Sequence, residues 1–175
     1  MYINTNNLPQ FDLDLSSMND ACEIKGIMKK VGVLDYVYAF IHRGDVMKYG
    51  QSSYKNPFRK DPHGERIYRQ ARYIPGWNSM PTTTNSSGSD IIPVLDHFNG
   101  IHKNNVRIHI WDMTGYNFAV KNNPEHELTV IENQLIENHR SVLGYSPAGN
   151  LRDESHIKRK SVVTDRVFKN LFEEV

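Results

Sequence analysis

Three sets of residues in this 175-residue chain could do chemistry. Lys48 lies in a hairpin-like stretch together with Tyr36, Tyr38 and Tyr49. Arg66, Arg69 and Tyr73 stand at i, i+3 and i+7, which puts them in one stripe if that segment is helical. A guanidinium stays charged, offers donors in a planar fork and can stabilise the extra negative charge of a pentacovalent phosphate. Glu132 has Leu128, Thr129, Leu135 and Ile136 three and four residues away, so a helix there sets it on the flank of an apolar stripe. An acid drawn towards a core needs a partner, and a divalent cation is one. Glu137, with Asn133, Gln134, Arg140 and Ser141 at the same offsets, reads as solvent-facing.

The elements that must position these groups begin with the stretch from Leu34 to Gly50. It alternates aromatic and aliphatic residues through Ile41, turns at Gly44-Asp45 and ends in Lys48-Tyr49-Gly50, which predicts a β-hairpin. Side chains alternate faces along a strand, so Tyr38 and Lys48 share a face only in an even register. A two-residue loop pairing Arg43 with Val46 would separate them. A three-residue loop pairing His42 with Val46 brings them together and suits Gly44 in a left-handed bulge, and this is the register expected. Tyr36, Tyr38 and Phe40 also read, on alternation alone, as one face of a core strand.

The hairpin resembles the signature of the GIY-YIG nucleases, with Tyr36-Val37-Tyr38 in the place of the first tripeptide and Lys48-Tyr49-Gly50 in that of the second. The resemblance spans roughly residues 34–150. It implies an α/β (α+β) core with a small mixed or antiparallel sheet flanked by helices. It further implies a metal-dependent DNA endonuclease, with Mg2+ (Mn2+ able to substitute) held by Glu132 in Ile131-Glu-Asn-Gln-Leu-Ile-Glu-Asn138. Tyr38 is then the general base on the attacking water, with Lys48 beside it, as in restriction endonucleases of the family that carry lysine there. Arg69, followed by Tyr73, matches the family's phosphate-binding arginine, and Arg66 is the competing choice. Tyr49, His63, Arg66 and Asn150, the last in Pro147-Ala-Gly-Asn, are implied substrate contacts. A compact restriction-type or phage enzyme is the form that best suits this length. One such site cuts one strand, so double-strand cleavage calls for a homodimer or sequential nicking. The other reading is a non-catalytic nucleic-acid-binding or interaction domain that keeps the fold.

Three segments follow from the punctuation of the chain. Residues 1–33 read as a polar arm and a helix capped by Ser16 or Ser17 and ending near Gly32; 34–150 as the core; 151–175 as a basic segment, Lys158-Arg159-Lys160, with an amphipathic helix. Within the core, helices are expected over 65–74, from Asp90 to about Phe98 and from Asn123-Pro124 to Leu143. Strands are expected over Val106–Met113 and Tyr116–Val120, and the Ser/Thr-rich 77–89 stretch reads as a loop. The net charge of +1 argues against a purely electrostatic nucleic-acid binder, though clustering can still build a local phosphate-facing stripe. The lone Cys22 excludes an intramolecular disulfide and a multi-cysteine zinc site. No dinucleotide, phosphate-loop or His-Glu-x-x-His pattern occurs, so no small-molecule cofactor is expected. The sequence shows no leader and no apolar run near the ~20 residues that span a bilayer, so an intracellular, cytoplasmic protein of a bacterial or phage-infected cell is expected.

Overall fold

Strand β2 is the centre of the molecule, and it is buried on both faces along its whole length. The computed structural model describes residues 3–54, 62–78, 91, 95, 100–116 and 125–150. Four strands, β1 (Gln10–Asp14), β2 (Asp35–His42), β3 (Asp45–Ser53) and β4 (Val106–Asp112), form one antiparallel sheet in the order β1-β4-β2-β3. Helices α1 (Glu23–Val31) and α2 (Glu65–Ala71) cover one face, and α3 (Glu125–Leu143) covers the other.

The alternation of β2 explains the two layers. Its even positions, Tyr36, Tyr38 and Phe40, pack with Ile24 and Met28 of α1 and Ile67 and Ala71 of α2. Its odd positions, Val37, Ala39 and Ile41, pack with Leu128, Ile131 and Leu135 of α3. The α+β class and small antiparallel sheet anticipated from the sequence are therefore what the chain adopts. No helix among the described residues is long and apolar enough to cross a membrane.

The hairpin reaches the expected facing by an unexpected route. Its turn has only two residues, Arg43 and Gly44, both at positive φ (50° and 81°), and His42 pairs with Asp45. Positive φ at both central positions is what a type I′ turn requires, and its twist matches that of the flanking strands. A bulge between Phe40 and Ile41 then shifts the register, so that Phe40 faces Lys48 and Tyr38 faces Gly50. The extra residue moves Lys48 onto the Tyr38 face. The expected three-residue loop is thus replaced by a tighter turn plus a bulge, and the shared face survives.

Two N-terminal expectations need correction. The lead-in contains β1, which pairs with β4 from Gln10↔Trp111 to Asp14↔Arg107 and so belongs to the sheet. Ser16 and Ser17 sit in a 3-10 turn, and α1 starts later. There Asp20 Oδ1 accepts from Cys22 N (2.9 Å), while Glu23 Oε2 accepts from the amides of Asn19 (2.7 Å) and Asp20 (2.8 Å). These bonds satisfy donors that a helix start leaves open. The expected end at Gly32 holds, with that glycine left-handed at φ 82°. Helix α2 is shorter than expected, ending at Ala71 before a turn through Ile74. The strand expected over 116–120, the helix from 90 to 98, the 77–89 loop and the C-terminal segment lie wholly or mostly outside the described residues.

Opposite Tyr38, glycine at position 50 leaves the space that the tyrosine ring fills. A Cβ built there would collide with the Tyr38 ring tip and hydroxyl. Gly50→Ala should destabilise the fold by roughly 1–3 kcal/mol through overpacking. Urea midpoints would measure this, and a neutral result would show that the Tyr38 ring can move aside.

Candidate functional site

Among the described residues β3 is an outer strand, and its edge away from β2 is where several of the predicted residues gather. A cleft of about 860 Å3 lies along it. Lys48, Tyr49, Gly50 and Gln51 line it from β3, Arg66 from α2, and Gly144–Ser146 with Gly149 and Asn150 from the turn after α3. Helix α3 contributes Glu132, Asn133, Ile136, Glu137 and Arg140. Those five stand at i, i+1, i+4, i+5 and i+8, which is one helix face beside the core stripe of Leu128, Ile131 and Leu135. Glu132 is half-buried and Glu137 exposed, as their neighbours in sequence imply.

The wall formed by residues 144–150 is held at four points. Asn150 Oδ1 accepts from Tyr49 N (2.7 Å) and its Nδ2 donates to Tyr49 O (2.8 Å), so one side-chain amide pairs with the strand edge as another strand would. Gly149 sits on the Lys48 stem; a Cβ there would come within 2.7 Å of Lys48 Cβ and 3.0 Å of Met47 O. Buried His139 bonds through Nδ1 to the Tyr145 carbonyl (2.9 Å). Arg140 donates from Nε (3.1 Å) and Nη2 (2.8 Å) to Ser146 Oγ.

The predicted site residues divide into two groups. Lys48, Arg66 and Glu132 meet at the cleft, with Tyr49 and Asn150 beside them. The Asn150 amide is engaged with the β3 backbone. The Tyr49 ring packs against Trp111 and His139 in the α3-side core, where burial pushes its phenol well above the ordinary range. Arg69 does not line the cleft; it bonds Glu65 at 3.1 Å, one turn back on α2. Tyr73 accepts from Arg72 Nη2 (3.2 Å), and its ring lies under that guanidinium. His63 stands before α2 in a left-handed conformation, φ 55°, away from the cleft lining. Of the two arginines left open by the sequence, Arg66 is the one at the cleft.

Tyr38 occupies a special place. Its ring is fully buried between Tyr36 (6.0 Å) and Phe40 (5.7 Å), as the core-strand reading has it. Its hydroxyl donates to Gln70 Oε1 at 3.3 Å and abuts Gly50, which itself lines the cleft. One glycine therefore separates the hydroxyl from the cleft.

Among the described residues no group of three or more His, Cys, Asp or Glu side chains stands together as a metal cage. The half-buried Glu132 carboxylate in the cleft lining is nonetheless a hard oxygen donor of the type that suits Mg2+. That ion commonly binds through one or two carboxylates plus substrate phosphates and waters. The residues present fit such an ion. Arg140, Ser146 and His139 escaped the sequence reading. The i+8 spacing of Arg140 from Glu132 was the available signal, whereas Ser146 carries none.

His139 also gives the site a pH dependence. Burial lowers its pKa to about 4, with the Tyr145 carbonyl bond opposing the shift. The unfolded chain therefore takes up this proton first as pH falls. The contribution of neutral His139 is complete above about pH 6.5, is lost progressively towards pH 4, and amounts to on the order of 3 kcal/mol. His42, lowered by burial and by Arg43, acts in the same direction. The difference between wild type and His139→Gln in urea stability at pH 7 and pH 4.5 isolates the contribution of His139. Parallel pH profiles for the two proteins would show that His139 is hydrated in the fold. The chain matches no protein-family model, no curated protein and no solved structure.

Proposed function

We propose that this chain is a metal-dependent endonuclease that hydrolyses phosphodiester bonds in DNA, of the GIY-YIG type that its hairpin resembles and restriction-like in its compact form. One observation carries the reading: Lys48, Arg66 and Glu132, from three elements far apart in sequence, line a single cleft. A phosphoryl-transfer site needs cations to hold a phosphate and an acid to hold a divalent ion, and these are the residue types that meet there.

In this mechanism Arg66 grips the scissile phosphate through its planar fork, and Lys48 adds a second positive charge at the floor. Glu132 would hold Mg2+, which when bound stabilises charge on the leaving oxygen. Tyr38 first releases its phenol proton to solvent. As phenolate it takes the proton of the water that attacks phosphorus, the ester P–O bond breaks, and the leaving oxygen is protonated from solvent. For that transfer Tyr38 must exchange its Gln70 bond for a water on the cleft side of Gly50. The full burial of Tyr38 is also the observation that favours the second reading, a DNA-binding domain that keeps the fold without catalysis.

Supercoiled plasmid incubated with the protein in Mg2+ should be nicked or linearised, and EDTA should stop it. Glu132→Ala and Arg66→Ala should each lower the rate by about a hundredfold or more, and Arg69→Ala only a few-fold. Tyr38→Phe should match Glu132→Ala. An active Tyr38→Phe would remove the base from the scheme, and intact plasmid across varied DNAs, Mn2+ included, would leave the binding-domain reading.

A further inference from the structure

Arg140 is the cleft cation that the proposed chemistry does not use. Its side chain is 52% exposed in the last turn of α3, yet its fork is already oriented. Nε and Nη2 both donate to Ser146 Oγ, and Nη1 donates to Glu137 Oε1 at 2.7 Å. Ser146 is buried, so the hydroxyl that aims the guanidinium is fixed by the wall. Glu137 is itself 65% exposed. An exposed i,i+3 pair of this kind is weak and screened by salt, so the carboxylate can be displaced by a better anion.

We propose that Arg140, aimed by Ser146, is a second backbone-phosphate contact. It takes a phosphate of the strand whose scissile phosphate lies at Arg66 and Lys48, with Glu137 occupying the fork until nucleic acid arrives. The inference rests on the nucleic-acid reading above. Three features argue for a phosphate. The fork is planar and oriented, as bidentate phosphate recognition requires. An anionic oxygen already sits on one of its nitrogens. The residue lines the same cleft as Lys48 and Arg66.

The structural alternative is that Arg140 only closes the end of α3, where a cation suits the helix dipole. The two roles separate by salt dependence, since each phosphate contact on duplex DNA contributes about 0.9 to the slope of log K against log salt. The probe is a fluorescein-labelled duplex of arbitrary sequence, titrated with the full chain in EDTA across a salt series. Arg140→Ala should lower the slope by about 0.9 and weaken binding roughly tenfold near 100 mM salt. Arg140→Lys should keep the slope and lose part of the affinity, which covers the case that the alanine variant unfolds. Glu137→Gln, which removes the competing anion, should tighten binding.

An unchanged slope in Arg140→Ala, with a reduced slope in Arg66→Ala, overturns the second contact and leaves the nuclease reading standing. Absence of salt-dependent DNA binding by the wild-type chain overturns both. Binding of inorganic phosphate that is lost in Arg140→Ala, while that variant binds DNA with unchanged affinity and slope, would assign the fork to a free anion and overturn the backbone contact.

Discussion

The outer edge of β3 is the constraint on which the rest of the site depends. An edge strand presents unpaired amides and carbonyls, and a protein must cover or pair them. Here the covering element is the turn after α3, whose Asn150 amide takes both backbone groups of Tyr49. That docking holds α3 alongside β3. It therefore puts Glu132 and Arg140 within one cleft with Lys48 and Gly50. Among the described residues, the cleft lies along the part of this edge that Asn150 does not pair.

The hairpin solves a second problem, that of placing a lysine and a tyrosine on one face across a tight turn. A two-residue turn alone would leave Tyr38 and Lys48 on opposite faces, because its register is odd. The bulge after Val46 restores an even register, so turn and bulge together set the site's floor. The facing also places Tyr38 across from Gly50, where the absent side chain admits the ring. The same glycine that packs the core thins the wall between the Tyr38 hydroxyl and the cleft.

Periodicity made much of this legible in the sequence. β2 declares itself by its aromatic alternation, β4 by Val106-Arg-Ile-His-Ile-Trp, and α3 by an apolar stripe that predicts both its end before Gly144 and the half-buried setting of Glu132. β1 stayed hidden because only Phe11 and Leu13 alternate inward among polar neighbours, and their burial depends on pairing with a strand far along the chain, as in Phe11↔Ile110 and Leu13↔Ile108. Arg66 and Arg69 could not be ranked from spacing, since both face the same stripe; the choice lies in which of them meets Glu65 and which meets the cleft. The two-residue turn was missed because Arg43 at positive φ is uncommon for a residue with a side chain, and its cost is borne by the packed strands on either side.

Net charge says little about the cleft itself. A charge of +1 argues only against a purely electrostatic nucleic-acid binder. Yet Lys48, Arg66 and Arg140 come from three elements to one concave surface, and Glu132 and Glu137 join them there. A cleft holding three cations and two carboxylates is nearly neutral towards bulk solvent. It carries strong, oriented charge only for a ligand that enters it, where lower dielectric strengthens each contact. A DNA binder of the kind proposed would rely on the placement of its cations rather than on their excess. Its affinity should be set by how many forks a phosphate backbone engages at once, which neither pI nor composition can register.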